Sequence, residues 1–375
     1  MSLWTIALVL CLVPVAFAAE GGSAKETRWI HPKCTLLPSD KTGPFVTLSD
    51  GRLMIVEGNG VLTSADDGRT WSEPRPLYSG PGPGIPHGGE SGANRSPLIK
   101  TRSGAIILAY YDRSTRKWSW DKEKKEPGPE CHCEMWAIRS LDEGKTWVDR
   151  QKIGDGGTSV STIIQTQSGR VVVPVQPLLY DPGRWGQYTC VSDDDGKTWK
   201  RGNLVDLGGH GNHDGAIEGI MTQLRDGRVW MLLRTNLDQF WSAYSDDHGR
   251  YWRHLGPSGI DASSAPGYIL RLASGRLALA WNRLKLENGS SASMWGGDCN
   301  YSERPSSSQR QELSLAFSED DGKTWSKPVV IARVSSSVCY PNIFERRPGQ
   351  LWITSGWQPR PALCISLQEK DFIAN

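Results

Sequence analysis

A turn motif of the form S-x-D-x-G-x-T-W is repeated in this chain of 375 residues. Its five copies span residues 64–71, 140–147, 192–199, 245–252 and 318–325. Only the fourth copy departs from the pattern, with Tyr251 in place of threonine. The residues suit a tight turn between antiparallel strands, because Asp accepts hydrogen bonds from turn amides, Gly permits a positive φ, and Ser and Thr add local bonds. Five copies indicate that one supersecondary unit is repeated along the chain.

A second turn, which ends in glycine and leads into an apolar strand, is repeated six times. Its glycines are Gly51, Gly104, Gly169, Gly227, Gly275 and Gly349. Successive tryptophans of the first motif lie about 76, 52, 53 and 73 residues apart, which is typical of a four-stranded propeller blade with variable loops. The two repeats predict an all-β fold, a six-bladed β-propeller of four-stranded antiparallel blades with almost no helix.

The sixth blade lacks a copy of the first motif, so its fourth strand has to come from elsewhere. We expect the segment 28–37 at the chain start to complete it. The tryptophan of each motif opens the next strand, where a large aromatic ring packs back against the sheet. We therefore expect each motif tryptophan to be mostly buried in its own blade.

The chain start indicates export. Residues 5–17 are apolar but too short to cross a bilayer as a helix, and a small-residue cleavage pattern follows at 16–18. The segment before them has no Lys or Arg, and a buried N-terminal strand or helix is the alternative. We expect a signal peptide at 1–19, one propeller domain at 20–375, and a secreted or periplasmic protein.

Charge and cysteine content narrow the function classes. The 43 basic and 41 acidic residues nearly cancel, so no general attraction to nucleic acid or membrane lipid is indicated. Of eight cysteines, Cys11 leaves with the signal, and the odd number that remains leaves at least one unpaired. The 131–133 segment, Cys-His-Cys, lacks further metal ligands at a recognisable spacing. We expect buried or disulfide-bonded cysteines there, and no metal or cofactor.

A propeller collects its innermost strands around an axis, so residues distant in sequence meet at one end of it. The motif itself lies on the outer part of the blade, and its aspartates are structural. Together, the motif and the blade pattern resemble the sialidase (neuraminidase) superfamily, in which the motif is the Asp box of the BNR repeat. The resemblance covers nearly all of the chain after residue 19.

Three segments carry the resemblance furthest. Glu218 is followed across a hairpin by Arg234, and the resemblance implies that the Glu activates the nucleophile while the Arg binds the substrate carboxylate. Arg234 also ends the apolar run 229–233, where a charge needs a partner. Arg310 leads into the fifth Asp box, and Tyr340 follows about 30 residues later. The resemblance implies a further carboxylate-binding arginine and a catalytic tyrosine, whereas Tyr340 is otherwise a core aromatic at a strand start.

A fourth segment fits less closely. Arg95 and the pair Asp112–Arg113 resemble the family's F-R-I-P motif and the acidic-plus-Arg end of the strands after it. The Phe and Ile of that motif are replaced, and Arg95 opens the second repeat unit instead of the first. The family's acid/base lies on a loop after these strands. Here the resemblance favours Glu130, with Asp121 as the other candidate.

These residues suit one mechanism. Sialic acid carries a carboxylate on its anomeric carbon, which would repel a carboxylate nucleophile but not a neutral Tyr. The sequence therefore predicts a monomeric, retaining exo-α-sialidase-like hydrolase that acts on sialylated or other acidic glycans. One alternative is a propeller hydrolase or lyase for another acidic sugar, served by His210, His213 and Asp214. The other is a non-catalytic glycan-binding propeller.

Overall fold

The structure is a computed structural model. It describes residues 27–77, 96–156, 162–290, 293–298, 300–357 and 362–373. Six antiparallel sheets form the six blades of a β-propeller, as predicted. The described residues contain one short 3₁₀ turn, Glu369–Asp371, and none of their helices has the length and apolar character needed to cross a membrane.

The first two strands, β1 (Arg28–Ile30) and β2 (Thr35–Leu36), belong to the last two blades. Blade 1 contains β3 (Val46–Thr47), β4 (Leu53–Glu57), β5 (Gly60–Ser64) and β6 (Arg75–Pro76). Blade 2 contains β7 (Leu98–Lys100), β8 (Ile106–Tyr111), β11 (Glu134–Ser140) and β12 (Val148–Asp155), with the small hairpin β9 (Trp120–Asp121) and β10 (Glu126–Pro127) between β8 and β11. Blade 3 contains β13 (Ile164–Gln165), β14 (Val171–Val175), β17 (Tyr188–Ser192) and β18 (Lys200–Arg201), with the hairpin β15 (Leu178–Leu179) and β16 (Arg184–Trp185) inserted.

Blade 4 contains β19 (Ile217–Gln223), β20 (Val229–Arg234), β21 (Gln239–Ser245) and β22 (Arg253–Asp261). Blade 5 contains β23 (Tyr268–Arg271), β24 (Leu277–Trp281), β27 (Glu312–Ser318) and β28 (Val329–Val334), with the hairpin β25 (Met294–Trp295) and β26 (Ser306–Ser307) inserted. Blade 6 contains β29 (Cys339–Arg347), β30 (Gln350–Trp357) and β31 (Leu363–Gln368). The three inserted hairpins all leave their blades after the second strand.

The start of the chain closes the ring, in a way that the sequence predicted only in part. Strand β2 pairs with β31, with Thr35 opposite Ser366, and becomes the fourth strand of blade 6. Strand β1 does not join blade 6. It pairs with β28, with Arg28 opposite Val334, and adds a fifth strand to blade 5. Both pairings cover sheet edges that would otherwise present unpaired backbone groups.

The Asp boxes are held by bonds within each turn. In the third copy, Ser192 Oγ accepts a hydrogen bond from the Gly196 amide at 2.8 Å, and Asp194 accepts from the amide and hydroxyl of Thr198 at 2.8 and 2.6 Å. In the first and fifth copies, the same bonds from threonine lower the pKa of Asp66 and Asp320 to about 2. The motif aspartates are thus bound within their turns, in agreement with a structural role.

The motif tryptophans are mostly buried, as predicted, but the prediction that each packs within its own blade is wrong. Trp252 is 4% exposed, while Trp71, Trp147, Trp199 and Trp325 are buried less completely. They pack between blades and not within one. For example, Trp252 of blade 4 joins a cluster with residues of blade 3, and its Nε1 donates to Thr189 Oγ1 of blade 3 at 2.9 Å. Since blades pack face to face, a ring at the edge of one sheet reaches its neighbour.

Among the described residues, each of the six core clusters joins two neighbouring blades, and together they complete the ring. The sixth cluster closes it by packing Phe45 and Leu53 of blade 1 against Trp352 of blade 6. Burial between blades is therefore the main apolar contribution to stability. It also sets the positions of residues that project from different blades toward the axis.

Candidate functional site

The candidate site lies where the first strands of blades 4 and 6 begin. Strand β19 of blade 4 contacts β23 of blade 5, and β23 contacts β29 of blade 6. These three strands line the axis side by side. Glu218 is at the start of β19, Arg234 at the end of its neighbour β20, and Tyr340 at the start of β29.

Three side chains form the centre of the site. Tyr340 Oη donates a hydrogen bond to Glu218 Oε1 at 3.0 Å, which is the contact that the sequence predicted. Arg234 Nη1 donates to Glu218 Oε2 at 2.7 Å and to Tyr340 Oη at 3.2 Å. The side chains of Arg234 and Glu218 are 3% and 7% exposed, so the ion pair is buried. A charge at the end of an apolar strand needs a partner, and Glu218 supplies it for Arg234.

Both Glu218 and Tyr340 have a left-handed backbone, with φ of 46° and 56°. This conformation is unfavourable for residues with a side chain, and strain of this kind is concentrated at functional sites. At Glu218 it coincides with a register shift between Ile217 and Ile220 in the pairing of β19 with β20. At this bulge the Glu218 carboxylate accepts the hydrogen bond of Tyr340, which comes from blade 6.

Two glutamines that the sequence analysis did not identify hold this bulge. Gln176 Oε1 accepts a hydrogen bond from the Glu218 amide at 2.7 Å, and Gln187 Oε1 accepts from the Gly219 amide at 2.9 Å. Both glutamines belong to blade 3 and are buried. A sequence signal could have identified Gln176. It directly follows the buried strand Val171–Val175, and this position is equivalent to that of Arg234 at the end of β20.

The two predicted arginines converge on one place. Arg310 Nη2 donates to the carbonyl oxygen of Ser264 at 3.0 Å, and Arg234 Nε donates to the hydroxyl of the same residue at 3.2 Å. The Arg310 guanidinium lies 5.6 Å from the centre of the Tyr340 ring. Trp295 faces both cations, at 5.9 Å from Arg234 and 5.6 Å from Arg310. Two adjacent cations create a positive potential that attracts an anion.

Burial sets the protonation of the tyrosine. It raises the pKa of Tyr340 well above the ordinary value of 10.0, and the negative charge of Glu218 raises it further, against the opposing effect of Arg234 and Arg310. The phenol is therefore neutral at physiological pH. Glu218, which already accepts its hydrogen bond, is placed to take the proton when Oη attacks an electrophile.

Of the three residues considered for other acidic-sugar chemistry, one lies at the site. The His213 ring is 4.4 Å from the ring of Trp295, and its pKa is lowered to about 3 by burial and then by the charges of Arg234 and Arg310. Its Nδ1 is buried without a hydrogen-bond partner among the described residues. The other two have structural partners: His210 faces Glu303 at 3.3 Å, and Asp214 accepts from the amides of Gly215 and His210.

The remaining predicted residues are Arg95, Asp112 and Arg113. Arg95 is not among the described residues. Asp112 accepts hydrogen bonds from Ser114 and forms an ion pair with Arg150 at 3.2 Å, and Arg113 is exposed. The described contacts of this pair therefore do not extend to the arginines at the axis.

Both candidates for the acid/base lie on the insertion of blade 2. The Glu130 side chain is 80% exposed and lies 3.6 Å from the Lys117 ammonium. Asp121 accepts hydrogen bonds from the amides of Glu123 and Lys124 in the turn of the β9–β10 hairpin. No contact described for either carboxylate reaches Tyr340, so this role stays a prediction.

The cysteines and the Cys-His-Cys segment were the other candidates for special chemistry. Five of the described cysteines are free, namely Cys34, Cys131, Cys133, Cys190 and Cys339, and Cys299 lies outside the described residues. Burial raises the pKa of the Cys133 thiol to about 12. His132 instead faces two carboxylates, those of Glu134 and Asp155, with ligand atoms of all three within 4.8 Å of one another. The Lys152 ammonium lies 3.2 Å from Glu134 and 2.5 Å from Asp155, and it already supplies a positive charge there.

With the geometry described, the chain can be compared with known proteins. Residues 122–353 match the family described as BNR repeat-like domain, which is more than half of the chain. The chain belongs to the BNR repeat-like domain family. No curated protein matches the chain.

Solved structures similar to this BNR repeat-like protein share its fold at low identity. A Dyadobacter fermentans DSM 18053 protein of unknown function has a TM-score of 0.56 and 16% identity, over 90% of this chain and 96% of that one. The K499G mutant of the NanB sialidase from Streptococcus pneumoniae has a TM-score of 0.56 and 16% identity, over 92% and 71%. The intramolecular trans-sialidase from Ruminococcus gnavus has a TM-score of 0.52 and 12% identity, over 89% and 95%. The expected resemblance to the sialidase superfamily is confirmed as a resemblance of fold.

Proposed function

We propose that this BNR repeat-like propeller is an exo-α-sialidase-like glycoside hydrolase that releases terminal sialic acid with retention at the anomeric carbon. The observation that carries the proposal is the buried contact of Tyr340 Oη with Glu218 at 3.0 Å, beside the guanidiniums of Arg234 and Arg310. A phenol, an acceptor for its proton and a paired cation site are the three groups that cleavage of a carboxylated sugar needs.

The charge of the substrate explains this choice of groups. A sugar with a carboxylate on its anomeric carbon repels an anionic nucleophile, and sialidases use tyrosine instead. Guanidinium groups hold a carboxylate through charge-assisted hydrogen bonds. Arg310, which is partly exposed, and Arg234 with its unpartnered Nη2 are the residues that would bind the carboxylate.

The proposed step conserves atoms and charge. Tyr340 Oη forms a bond to the anomeric carbon while the bond from that carbon to the leaving oxygen breaks. The phenol proton passes to Glu218, and the leaving oxygen takes a proton from an acid that we assign to Glu130, with Asp121 as the alternative. Water then gives a proton to the carboxylate left by that acid and attacks the anomeric carbon, while the bond from this carbon to Tyr340 Oη breaks. Tyr340 takes its proton back from Glu218, which returns the enzyme to its first state.

Hydrolysis of a fluorogenic sialoside tests the proposal. Tyr340→Phe should lower kcat by at least about a thousandfold, and Glu218→Gln by about 10² to 10⁴, because each removes part of one nucleophile–base pair. Both variants should keep the wild-type circular dichroism spectrum. Wild-type protein that releases no sialic acid, or Tyr340→Phe with full activity, contradicts the mechanism.

The cellular setting belongs to the same proposal. We propose export by a signal at 1–19, cleaved to leave a monomeric domain of residues 20–375 that meets sialylated or other acidic glycans outside the cell. Terminal sequencing of the protein recovered from the medium or periplasm, together with its mass in solution, checks both points. An uncleaved chain retained in the cell would contradict export.

His213 favours a second candidate, a hydrolase or lyase for another acidic sugar. A neutral imidazole beside two arginines has the groups to hold a uronate and to accept a proton. Incubation with uronate-containing polysaccharides, followed by ultraviolet detection of an unsaturated product, would reveal elimination. A protein that binds acidic glycans and cleaves none of them would instead be the non-catalytic propeller.

A further inference from the structure

A cavity lies between blades 2 and 3, and neither Tyr340 nor Glu218 is among the described residues that line it. Its volume is about 310 Å³. It lies between the insertion 112–133 of blade 2 and the insertion 176–187 of blade 3, which leave neighbouring blades after the second strand. The volume is at the lower end of the range for small-molecule sites, so it suits one ring-sized group better than an extended chain.

The walls of the cavity are fastened to each other. Glu126 of the β9–β10 hairpin accepts hydrogen bonds from the amides of Asp181 and Gly183, at 3.1 and 2.8 Å. Tyr180 Oη donates to the Gly128 carbonyl oxygen at 3.2 Å. These bonds join the two insertions that line the cavity, so the space is preformed in the folded protein.

The lining is aromatic and partly open to solvent. Trp118 and Trp185 stack with ring centres 5.5 Å apart and planes 4° from parallel. Trp118, Tyr180 and Leu204 are 37%, 47% and 40% exposed, and all three line the cavity. Large apolar side chains that stay exposed around one concavity mark a binding site.

The charge of the lining is positive, although the whole chain is close to neutral at +2. Arg116, Lys117 and Arg201 line the cavity, against one carboxylate, Asp155, which is bound by Lys152 at 2.5 Å. In the part of the chain that the structure describes, neither guanidinium forms a salt bridge. They lie instead over aromatic rings, Arg116 at 5.9 Å from Trp118 and Arg201 at 4.0 Å from Tyr188.

From this aromatic and basic lining we infer that the cavity binds one anionic sugar residue, a carboxylated pyranose of a glycan. The C–H groups on one face of a pyranose pack against the electron-rich face of an indole, and a guanidinium supplies paired donors to its carboxylate. The cavity is a binding site and not a second catalytic centre. It recognises the anionic sugar whether or not the axial site cleaves it.

The cavity and the axial site share a wall. The Trp185 amide donates to the Asp214 carbonyl oxygen at 3.0 Å, and its indole N–H donates to the Asn212 carbonyl oxygen at 2.5 Å. The segment 212–217 then leads directly to Glu218. A glycan residue held in the cavity thus keeps its neighbouring residues close to the rim of the axial site, which raises their local concentration there.

Two probes that differ in one group test the inference. Methyl β-D-glucuronide carries a carboxylate where methyl β-D-glucoside carries a hydroxymethyl group. Titration calorimetry on the full chain should show binding of the glucuronide and at least about tenfold weaker binding of the glucoside. Trp118→Ala and Arg116→Gln should each weaken glucuronide binding by about tenfold or more. Equal affinity for both probes, or binding of neither, overturns the inference.

Trp29→Ala is the matched control, because Trp29 is 39% exposed and also lies below an arginine, Arg333 at 5.2 Å, but on blade 5. Its affinity should stay within about twofold of wild type. Arg310→Gln separates the two sites, since it alters the axial pair and should leave glucuronide binding in the cavity intact. Binding that disappears in Arg310→Gln and survives in Trp118→Ala belongs to the axial site and overturns the inference. The sialoside assay with Tyr340→Phe is independent of all these outcomes.

Discussion

At the scale of single residues, the buried pair of Arg234 and Glu218 dominates the electrostatics of the axial site. Each partner is nearly inaccessible to water, and their nearest atoms are 2.7 Å apart. A buried pair need not stabilise a fold relative to apolar residues, but removal of one partner leaves an uncompensated charge. The pair is therefore better explained by the charge it presents to a ligand than by stability.

Arg234→Met should lower the free energy of unfolding by about 3 to 5 kcal/mol, because Glu218 stays buried without its cation. The double variant Arg234→Met/Glu218→Gln should recover part of that loss. Urea unfolding of the wild type, both single variants and the double variant measures the coupling. Strictly additive losses would show that the two side chains do not depend on each other.

His213 makes stability depend on pH with a definite sign. Its pKa is about 3 in the folded protein, below the ordinary 6.5, so the unfolded chain binds a proton between these values and the folded chain does not. Stability from this group is therefore present above about pH 6.5 and is lost as the pH falls toward about 3. Relative to His213→Gln, wild type should lose roughly 2 kcal/mol between about pH 7 and about pH 5. An equal difference in the free energy of unfolding between wild type and His213→Gln at the two pH values would contradict this.

At the scale of elements, the Asp-box turn of one blade packs against the neighbouring blade. Gly249 has a φ of 90°, and a Cβ there would lie 2.9 Å from Val172 of blade 3. Gly227, in the other turn of the same blade, has a φ of 92° and nothing within 4 Å. The two positions share a backbone conformation and differ only in what surrounds them.

Gly227→Ala should therefore cost about 1 kcal/mol for the left-handed backbone alone. Gly249→Ala should cost that amount and about 1 to 3 kcal/mol more, because the new methyl group overpacks the junction of blades 3 and 4. Chemical denaturation of both variants gives the difference directly. Equal losses of stability in the two variants would mean that the contact of Gly249 with blade 3 accommodates a methyl group without cost.

The sequence predicted those features that depend on local bonds. Each Asp box repeats hydrogen bonds within eight residues, and the five boxes together with the six glycine turns predicted the blade count. The contact of Tyr340 with Glu218 followed from the family resemblance. Gln176 and Gln187 were missed because they act on a strand of another blade. Trp252 was assigned to the wrong environment because its partner, Thr189, lies 63 residues away.

At the scale of the whole molecule, the ring depends on strands from both ends of the chain. A variant without residues 20–37, expressed with its own leader, should melt several degrees lower than one without residues 20–26, because only the first loses β1 and β2. It should also self-associate, since the outer edges of blades 5 and 6 become free. Calorimetry and light scattering measure both effects. Identical melting curves would show that these two strands contribute nothing.

The pairing of Thr35 with Ser366 has a consequence for the order in which activity is acquired. These residues are 331 positions apart. During synthesis, β2 therefore stays without its partner strand until nearly all of the remaining chain has been made. A fragment that ends after blade 5 contains Glu218 and both arginines but no Tyr340. On the proposed mechanism, such a fragment would bind an acidic sugar without cleaving it. Synthesis of blade 6 would then add Tyr340, the proposed nucleophile, together with the last support of the ring.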